Sequence, residues 1–160
     1  MPLRLSELVL VTANSAFQER ELAYVLEQSG AVAFFLVEEF RGNPMGQIIA
    51  EVAKGIEDIR EITDMNTDAF YAKGSRRPSL PTVEPGSAAM IQYTSGTNSF
   101  PKDAVLSHRG LVNNARFYAS QCGATEATTW INIVPLFHAA LPSLICSGPG
   151  LSHTCHTEID

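Results

Sequence analysis

The chain has 160 residues, 45% of them hydrophobic, which is enough for one compact core and too little for two ordinary domains. A formal net charge of -6 excludes a surface built to neutralise the phosphates of DNA or RNA. Short apolar runs, no secretory signal in residues 1–10 and an odd number of cysteines, 3, predict a cytoplasmic protein without transmembrane segments or a disulfide framework.

The first predicted elements are a helix and a strand. Apolar residues three and four apart predict a helix over residues 19–29 with a buried stripe that includes Leu22 and Leu26. Gly30 is a natural stop for this helix. Residues 31–37 are uniformly apolar, which favours a strand buried on both faces of a parallel sheet, with a buried helical segment as the alternative.

A second helix, a short strand and a connector follow. Asn43 and Pro44 are typical of an N-cap and a first helical residue, and the apolar spacing continues to Gly55. Residues 59–63 predict a short strand. Residues 64–87 are interrupted by Gly and Pro and predict an exposed connector.

The next segment predicts strand, loop and helix. Residues 88–93 favour a strand, and a brief extended piece is predicted at 105–106. Ser107 is the expected cap of a helix over 108–121. Its inward residues are expected to be Leu111, Val112, Ala115 and Ala119, and Gly123 is the expected stop. With a last strand at 130–134, the alternation predicts an α/β fold whose mostly parallel sheet is flanked by helices.

The loop after the strand at 88–93 is rich in groups that can face an anion. Backbone N–H groups and hydroxyls in such a loop can bind phosphate, although a polar turn is the simpler interpretation of composition alone. The Walker A pattern fails because its second Gly falls on Pro101 and its Ser/Thr on Asp103. The groups that could meet an anion are Thr94, Ser95, Gly96, Thr97, Asn98, Ser99 and Lys102.

Three stretches in order resemble the adenylate-forming (AMP-binding) enzymes. Residues 93–108 read YTSGTNSFPKDAVLSH, which resembles the family's signature loop YTSGTTGxPKGxxxSH. Residues 135–138 read PLFH, the family's second motif, and residues 21–42 are similar to the helix-strand unit of fatty-acid-type acyl-CoA synthetases. The resemblance implies that residues 1–140 are part of the large N-terminal domain of this fold, shortened at both ends. Residues 141–160 are expected to be a tail without family resemblance.

The resemblance also implies a reaction. The family activates a carboxylic acid with ATP, releases pyrophosphate and passes the acyl-adenylate to coenzyme A, with Mg²⁺ as a further cofactor. By this resemblance the loop residues Thr94 to Ser99 and Lys102 would surround the phosphates of ATP, and His138 would stand near the acyl carboxylate and the α-phosphate. A fatty acid or another carboxylic acid is the implied substrate.

Three residues of this loop depart from the family pattern. Asn98 replaces the second Thr of the family's Thr-Thr pair and loses little, because it remains a hydrogen-bond donor. Ser99 and Asp103 stand where the family has Gly, and a Cβ at a position that requires positive φ costs about 1 kcal/mol or more. We expect the carboxylate of Asp103 to repel the triphosphate or to pair with Lys102, and so to weaken binding.

The sequence leaves two functional hypotheses open. The first is a partial fatty-acid–CoA ligase that has little or no activity by itself. The second is a non-catalytic nucleotide- or acyl-binding module that associates through exposed sheet edges. No metal site is predicted, because the spacing of Cys146, His153, Cys155 and His156 matches no zinc pattern.

Overall fold

A computed structural model describes residues 8–73, 81–94, 101–125 and 128. In chain order the elements are β1 (Leu10–Thr12), α1 (Glu19–Ser29), β2 (Ala33–Leu36), α2 (Met45–Val52), a 3-10 turn (Ala53–Gly55), β3 (Glu61–Asp64), α3 (Asp68–Lys73), β4 (Ala88–Thr94), β5 (Lys102–Ser107) and α4 (His108–Gln121). The predicted strand at 130–134 and the tail at 141–160 lie outside the described residues. No helix in the described ranges is both long and apolar enough to cross a bilayer.

The chain divides into two compact units. The first unit comprises Met1–Thr12, Thr82–Gln92 and Ala104–Asp160, and the second comprises Ala13–Pro81 and Tyr93–Asp103. The signature stretch is therefore divided: residues 93–103 belong to the second unit, together with α1, β2, α2, β3 and α3, and residues 104–108 belong to the first.

The second unit packs helices against a two-stranded parallel sheet. β2 and β3 pair with Ala33 opposite Glu61 and Leu36 opposite Asp64. The hydrophobic cluster of this unit consists of Leu22, Leu26, Leu36, Ile48, Ile49, Val52 and Ile56. The predicted helix over 19–29 is confirmed with the same bounds, and it ends at Gly30, whose φ of 62° is left-handed.

Three predictions for the second unit need correction. β2 covers only 33–36 and is not buried on both faces, because Phe35 is 41% exposed and lies edge-on to the Phe70 ring at 6.3 Å. Asn43 does not cap α2, which has Pro44 at the N-cap position. The Asn43 side-chain amide instead donates to the Ser15 carbonyl oxygen at 2.6 Å. This tertiary contact takes the place of the predicted helix cap.

The rest of the second unit differs from prediction mainly in bounds. The short strand predicted at 59–63 is present as β3, shifted toward the C-terminus. The predicted connector at 64–87 contains α3, which begins at Asp68. The prediction missed this short helix because it extended the connector back to residue 64. The Gly and Pro residues that indicate a connector begin only at Gly74.

The first unit is built on β1, β4 and β5, in that order across the sheet. β1 and β4 are parallel, with Leu10 opposite Met90. β5 runs antiparallel to β4, because Thr94 contacts Lys102 at one end of the pair and His108 contacts Ser87 at the other. The α/β class and the parallel pairings are confirmed, but the sheet is mixed.

α4 follows its prediction closely. Its N-cap is Ser107, whose Oγ accepts a hydrogen bond from the Gly110 amide at 3.1 Å. Gly123, with φ of 64°, follows its last turn. Leu111, Ala115 and Ala119 are buried as predicted, but Val112 is 42% exposed, so its inward placement was wrong. The cluster of buried residues here consists of Ala89, Met90 and Leu111.

Candidate functional site

The two ends of the signature loop are well defined. Thr94 is the last residue of β4, and Lys102 is the first of β5. We call residues 93–94 and 102–103 the two stems of the loop. The other predicted site residues, Ser95, Gly96, Thr97, Asn98, Ser99 and His138, lie outside the described residues, so their placement near a nucleotide stays a prediction.

A side-chain hydrogen bond joins the stems. The Thr94 hydroxyl donates to the Lys102 carbonyl oxygen at 3.4 Å. β4 buries Ala89, Met90 and Gln92 and becomes exposed at Thr94, so the strand ends at the protein surface. The structure thus brings together the first and last predicted phosphate ligands.

Lys102 offers a positive charge at this point. Its side chain is exposed, and no ion pair is found for it among the described residues. An ammonium group that keeps its charge and its donors for solvent can bind an anion. Contact between Lys102 and a phosphate stays a prediction.

The Asp103 side chain has a different partner from the one expected. Its Oδ1 accepts a hydrogen bond from Nε2 of Gln28 on α1 at 3.3 Å, and no described ion pair joins it to Lys102. Successive side chains of a strand point to opposite faces, so neighbours in β5 are badly placed to pair. The expected Lys102–Asp103 pairing was wrong.

The expected backbone strain at position 103 is also absent. Asp103 lies within β5, and the one non-glycine residue with positive φ among those described is Arg41. Extended backbone accepts any side chain with a Cβ. The Gly-to-Asp difference from the family pattern therefore carries no left-handed strain in this chain.

Tyr93 anchors the other stem. Its hydroxyl donates to the Val25 carbonyl oxygen on α1 at 3.4 Å. Burial raises the pKa of the Tyr93 phenol, the nearby Asp103 carboxylate and Tyr24 raise it further, and a hydrogen bond with Ser29 acts in the opposite direction. The motif includes Tyr93, but its contact with Val25 was not predicted, because nothing in a buried helical Val signals contact with a segment far along the chain.

The described residues offer no ready metal cage. In residues 8–73, 81–94 and 101–125 no group of three or more His, Cys, Asp or Glu side chains is placed to hold an ion. The Cys and His residues of the tail lie outside these ranges.

Comparison with known proteins places this geometry in a family. The family model of the AMP-binding enzymes matches residues 5–150. The Bacillus subtilis (strain 168) protein YngI is 26% identical over an alignment of 183 residues, which covers 95% of this chain and 33% of YngI. The human mitochondrial medium-chain acyl-CoA ligase ACSF2 is 26% identical over 149 residues, which covers 76% of this chain and 24% of the ligase.

The fold has solved counterparts as well. The O-succinylbenzoate coenzyme A synthetase MenE of Bacillus subtilis, solved in complex with AMP, superposes with a TM-score of 0.71 at 22% identity, over 90% of this chain and 35% of MenE. The predicted adenylate-forming fold is confirmed. The chain spans about a quarter to a third of the length of the curated relatives above. On the match of residues 5–150, the chain belongs to the family of AMP-binding enzymes.

Proposed function

We propose that this chain carries the ATP-binding loop of an ATP-dependent, AMP-forming acid–thiol ligase. The observation that carries the proposal is the position of Lys102, an exposed cation without a described ionic partner, at the end of a Thr/Ser/Gly-rich loop closed by Thr94. Membership of the AMP-binding family and similarity to an acyl-CoA ligase support it. A fatty-acid-type carboxylic acid is the proposed substrate, since the human relative is a medium-chain acyl-CoA ligase.

The chemistry requires positive charge and donors placed in advance. As the substrate carboxylate attacks the α-phosphorus, negative charge moves onto the departing pyrophosphate oxygens. Lys102 would stabilise that charge, and the groups of residues 95–99 would bind the same oxygens. Thr94 would hold the loop closed through Lys102, and His138 would face the carboxylate. The thiol of coenzyme A would then take the acyl group from the adenylate, and AMP would leave.

Nucleotide binding is the decisive measurement, and the chain offers a matched pair of lysines. We expect Lys102→Met to weaken ATP binding in titration calorimetry about tenfold or more, because hydrogen bonds to charged groups contribute about 1.5–3 kcal/mol and 1.4 kcal/mol is tenfold. Lys54→Met, which removes an exposed lysine paired with Glu51, should leave ATP affinity unchanged. Equal loss in both variants, or no ATP binding by a folded wild-type chain, would refute the proposal.

A second assay distinguishes a ligase from a binding module. Isotope exchange between pyrophosphate and ATP, measured with decanoate present, reports adenylate formation by the chain. Because the chain spans only 24–33% of those relatives, we propose that exchange by this chain alone is weak. ATP binding without any exchange would favour the non-catalytic module, whereas binding with exchange would favour the ligase.

A further inference from the structure

The last turns of α1 contact both stems of the loop. The Tyr93 hydroxyl donates to the Val25 carbonyl oxygen at 3.4 Å, and Gln28 donates to Asp103 at 3.3 Å. Gln28 and Ser29 lie three and four positions after Val25, so the three residues share one side of the helix. One stretch of α1 therefore holds the residue that enters the loop and the residue that leaves it.

This part of α1 is itself firmly fixed. Val25 and Leu26 are fully buried, at 0% and 2% exposure, and Leu26 belongs to the hydrophobic cluster of the second unit. Residues in such a cluster move little because each is packed on all sides. A stem that is hydrogen-bonded to this helix is therefore restrained by the packed core of the second unit.

The direction of the Asp103 side chain separates its charge from that of Lys102. The two residues are adjacent in β5, so their side chains leave opposite faces of the strand. The Asp103 carboxylate lies toward Gln28 and Tyr93, where its charge also acts on the phenol. The hydrogen-bonding partner of the Asp103 carboxylate is therefore on α1.

We propose that Asp103 and Gln28 are positioning residues that fix the exit stem of the loop to α1 and so hold Lys102 in place for the phosphates. The inference rests on the proposed function of Lys102. It replaces the expectation from sequence that Asp103 repels the nucleotide. The distinction is testable because Asn at position 103 keeps the accepting oxygen and removes only the charge.

The experiment compares four variants of the 160-residue chain. Asp103→Asn keeps the acceptor, Asp103→Leu removes it, and Gln28→Leu removes the donor. Gln47→Leu, at an exposed position of α2, is the matched control for adding an exposed leucine to a helix. Two quantities are measured for each: the Kd for ATP by calorimetry and the amide hydrogen-exchange rate of residues 93–103 by mass spectrometry.

We expect Gln28→Leu and Asp103→Leu each to weaken ATP binding about three- to tenfold and to speed exchange in the loop by a similar factor, which is the effect of losing one hydrogen bond. Asp103→Asn and Gln47→Leu should stay within about twofold of wild type. The double variant Gln28→Leu with Asp103→Leu should be no weaker than either single variant, since both remove the same bond.

Two results would overturn the inference. Tighter ATP binding by both Asp103→Asn and Asp103→Leu would show that the charge repels the nucleotide. Exchange rates in Gln28→Leu equal to those of Gln47→Leu would show that the bond fixes nothing. If the wild-type chain binds no ATP, the proposed function fails, and the exchange rates still decide whether Asp103 and Gln28 anchor the stem.

Discussion

The two compact units bury very different amounts of apolar side chain among the described residues. The second unit clusters seven buried hydrophobic residues drawn from α1, β2, α2 and the segment that follows. The first unit clusters three, two of them from β4 and one from α4. Since burial of apolar surface is the main favourable contribution to folding, the described part of the second unit is expected to contribute more to stability than the described part of the first.

The two helices that cap these cores show the same contrast. α1 turns Leu22, Val25 and Leu26 inward, whereas α4 buries Leu111 with two alanines. α4 leaves larger side chains outside, and Phe117 is 71% exposed. The loop stems contact α1, the helix with the larger buried side chains.

The largest expected effect tests the difference between the cores directly. Ile49→Ala in the second unit should lower the free energy of unfolding by about 2–5 kcal/mol, because it leaves a cavity in a closely packed cluster. Leu111→Ala in the first unit should cost about 2 kcal/mol or less, since fewer described neighbours surround it. Urea unfolding followed by far-ultraviolet circular dichroism measures both.

Val32→Ala, at an exposed position beside β2, is the control and should change stability by no more than about 0.5 kcal/mol. An equal or greater loss from Leu111→Ala than from Ile49→Ala would break the comparison. Such a result would mean that residues outside the described ranges complete the first core.

A smaller effect is expected at the two helix ends, where the units should behave alike. Gly30 and Gly123 follow α1 and α4 with φ of 62° and 64°, and an added Cβ would meet nothing within 4 Å at either. Ala at each should therefore cost about 1 kcal/mol, entirely from the left-handed backbone.

Gly55 serves as the control for these glycine substitutions, because a Cβ there meets open space and its φ is not positive. Gly55→Ala should be neutral or stabilising by about 0.4–1 kcal/mol, through the lower entropy of the unfolded chain. Chemical denaturation of all three variants gives the comparison. A cost at Gly123 far below that at Gly30 would indicate that the end of α4 is frayed.

The smallest expected effect concerns pH and belongs to the second unit alone. The raised pKa of Tyr93 means that the folded chain keeps the phenol proton at a pH where the unfolded chain has lost it. The folded state then binds more protons, so the free energy of unfolding falls as pH rises above about 10, through the folded pKa. Tyr93→Phe should remove the part of the stability loss at alkaline pH that comes from this phenol.

Urea unfolding between about pH 8 and pH 11 would measure the effect, since an ordinary tyrosine titrates near pH 10. Tyr71→Phe, at an exposed position of α3, controls for the loss of a phenol as such. The same alkaline slope in wild type and Tyr93→Phe would show that the environment of Tyr93 does not couple to folding.

Local patterns were sufficient for much of the fold. α1 and α4 were predicted with their bounds, their stops and the Ser107 cap, because helical periodicity and capping involve residues within four or five positions of each other. The strand predicted at 88–93 is present as β4, whereas the brief extended piece predicted at 105–106 is the longer strand β5. The placement of 95–99 and His138 remains a prediction.

Tertiary contacts decided what the patterns could not. Asn43 contacts Ser15 instead of capping α2, Phe35 faces outward, and Asp103 contacts Gln28, a residue 75 positions away. By itself, then, the sequence determined the family's motifs, the α/β class and the buried face of α1, since these depend on short-range period and turn chemistry. The partner of each polar side chain and the direction of β5 came only with packing, because such contacts depend on which distant segments the folded core brings together.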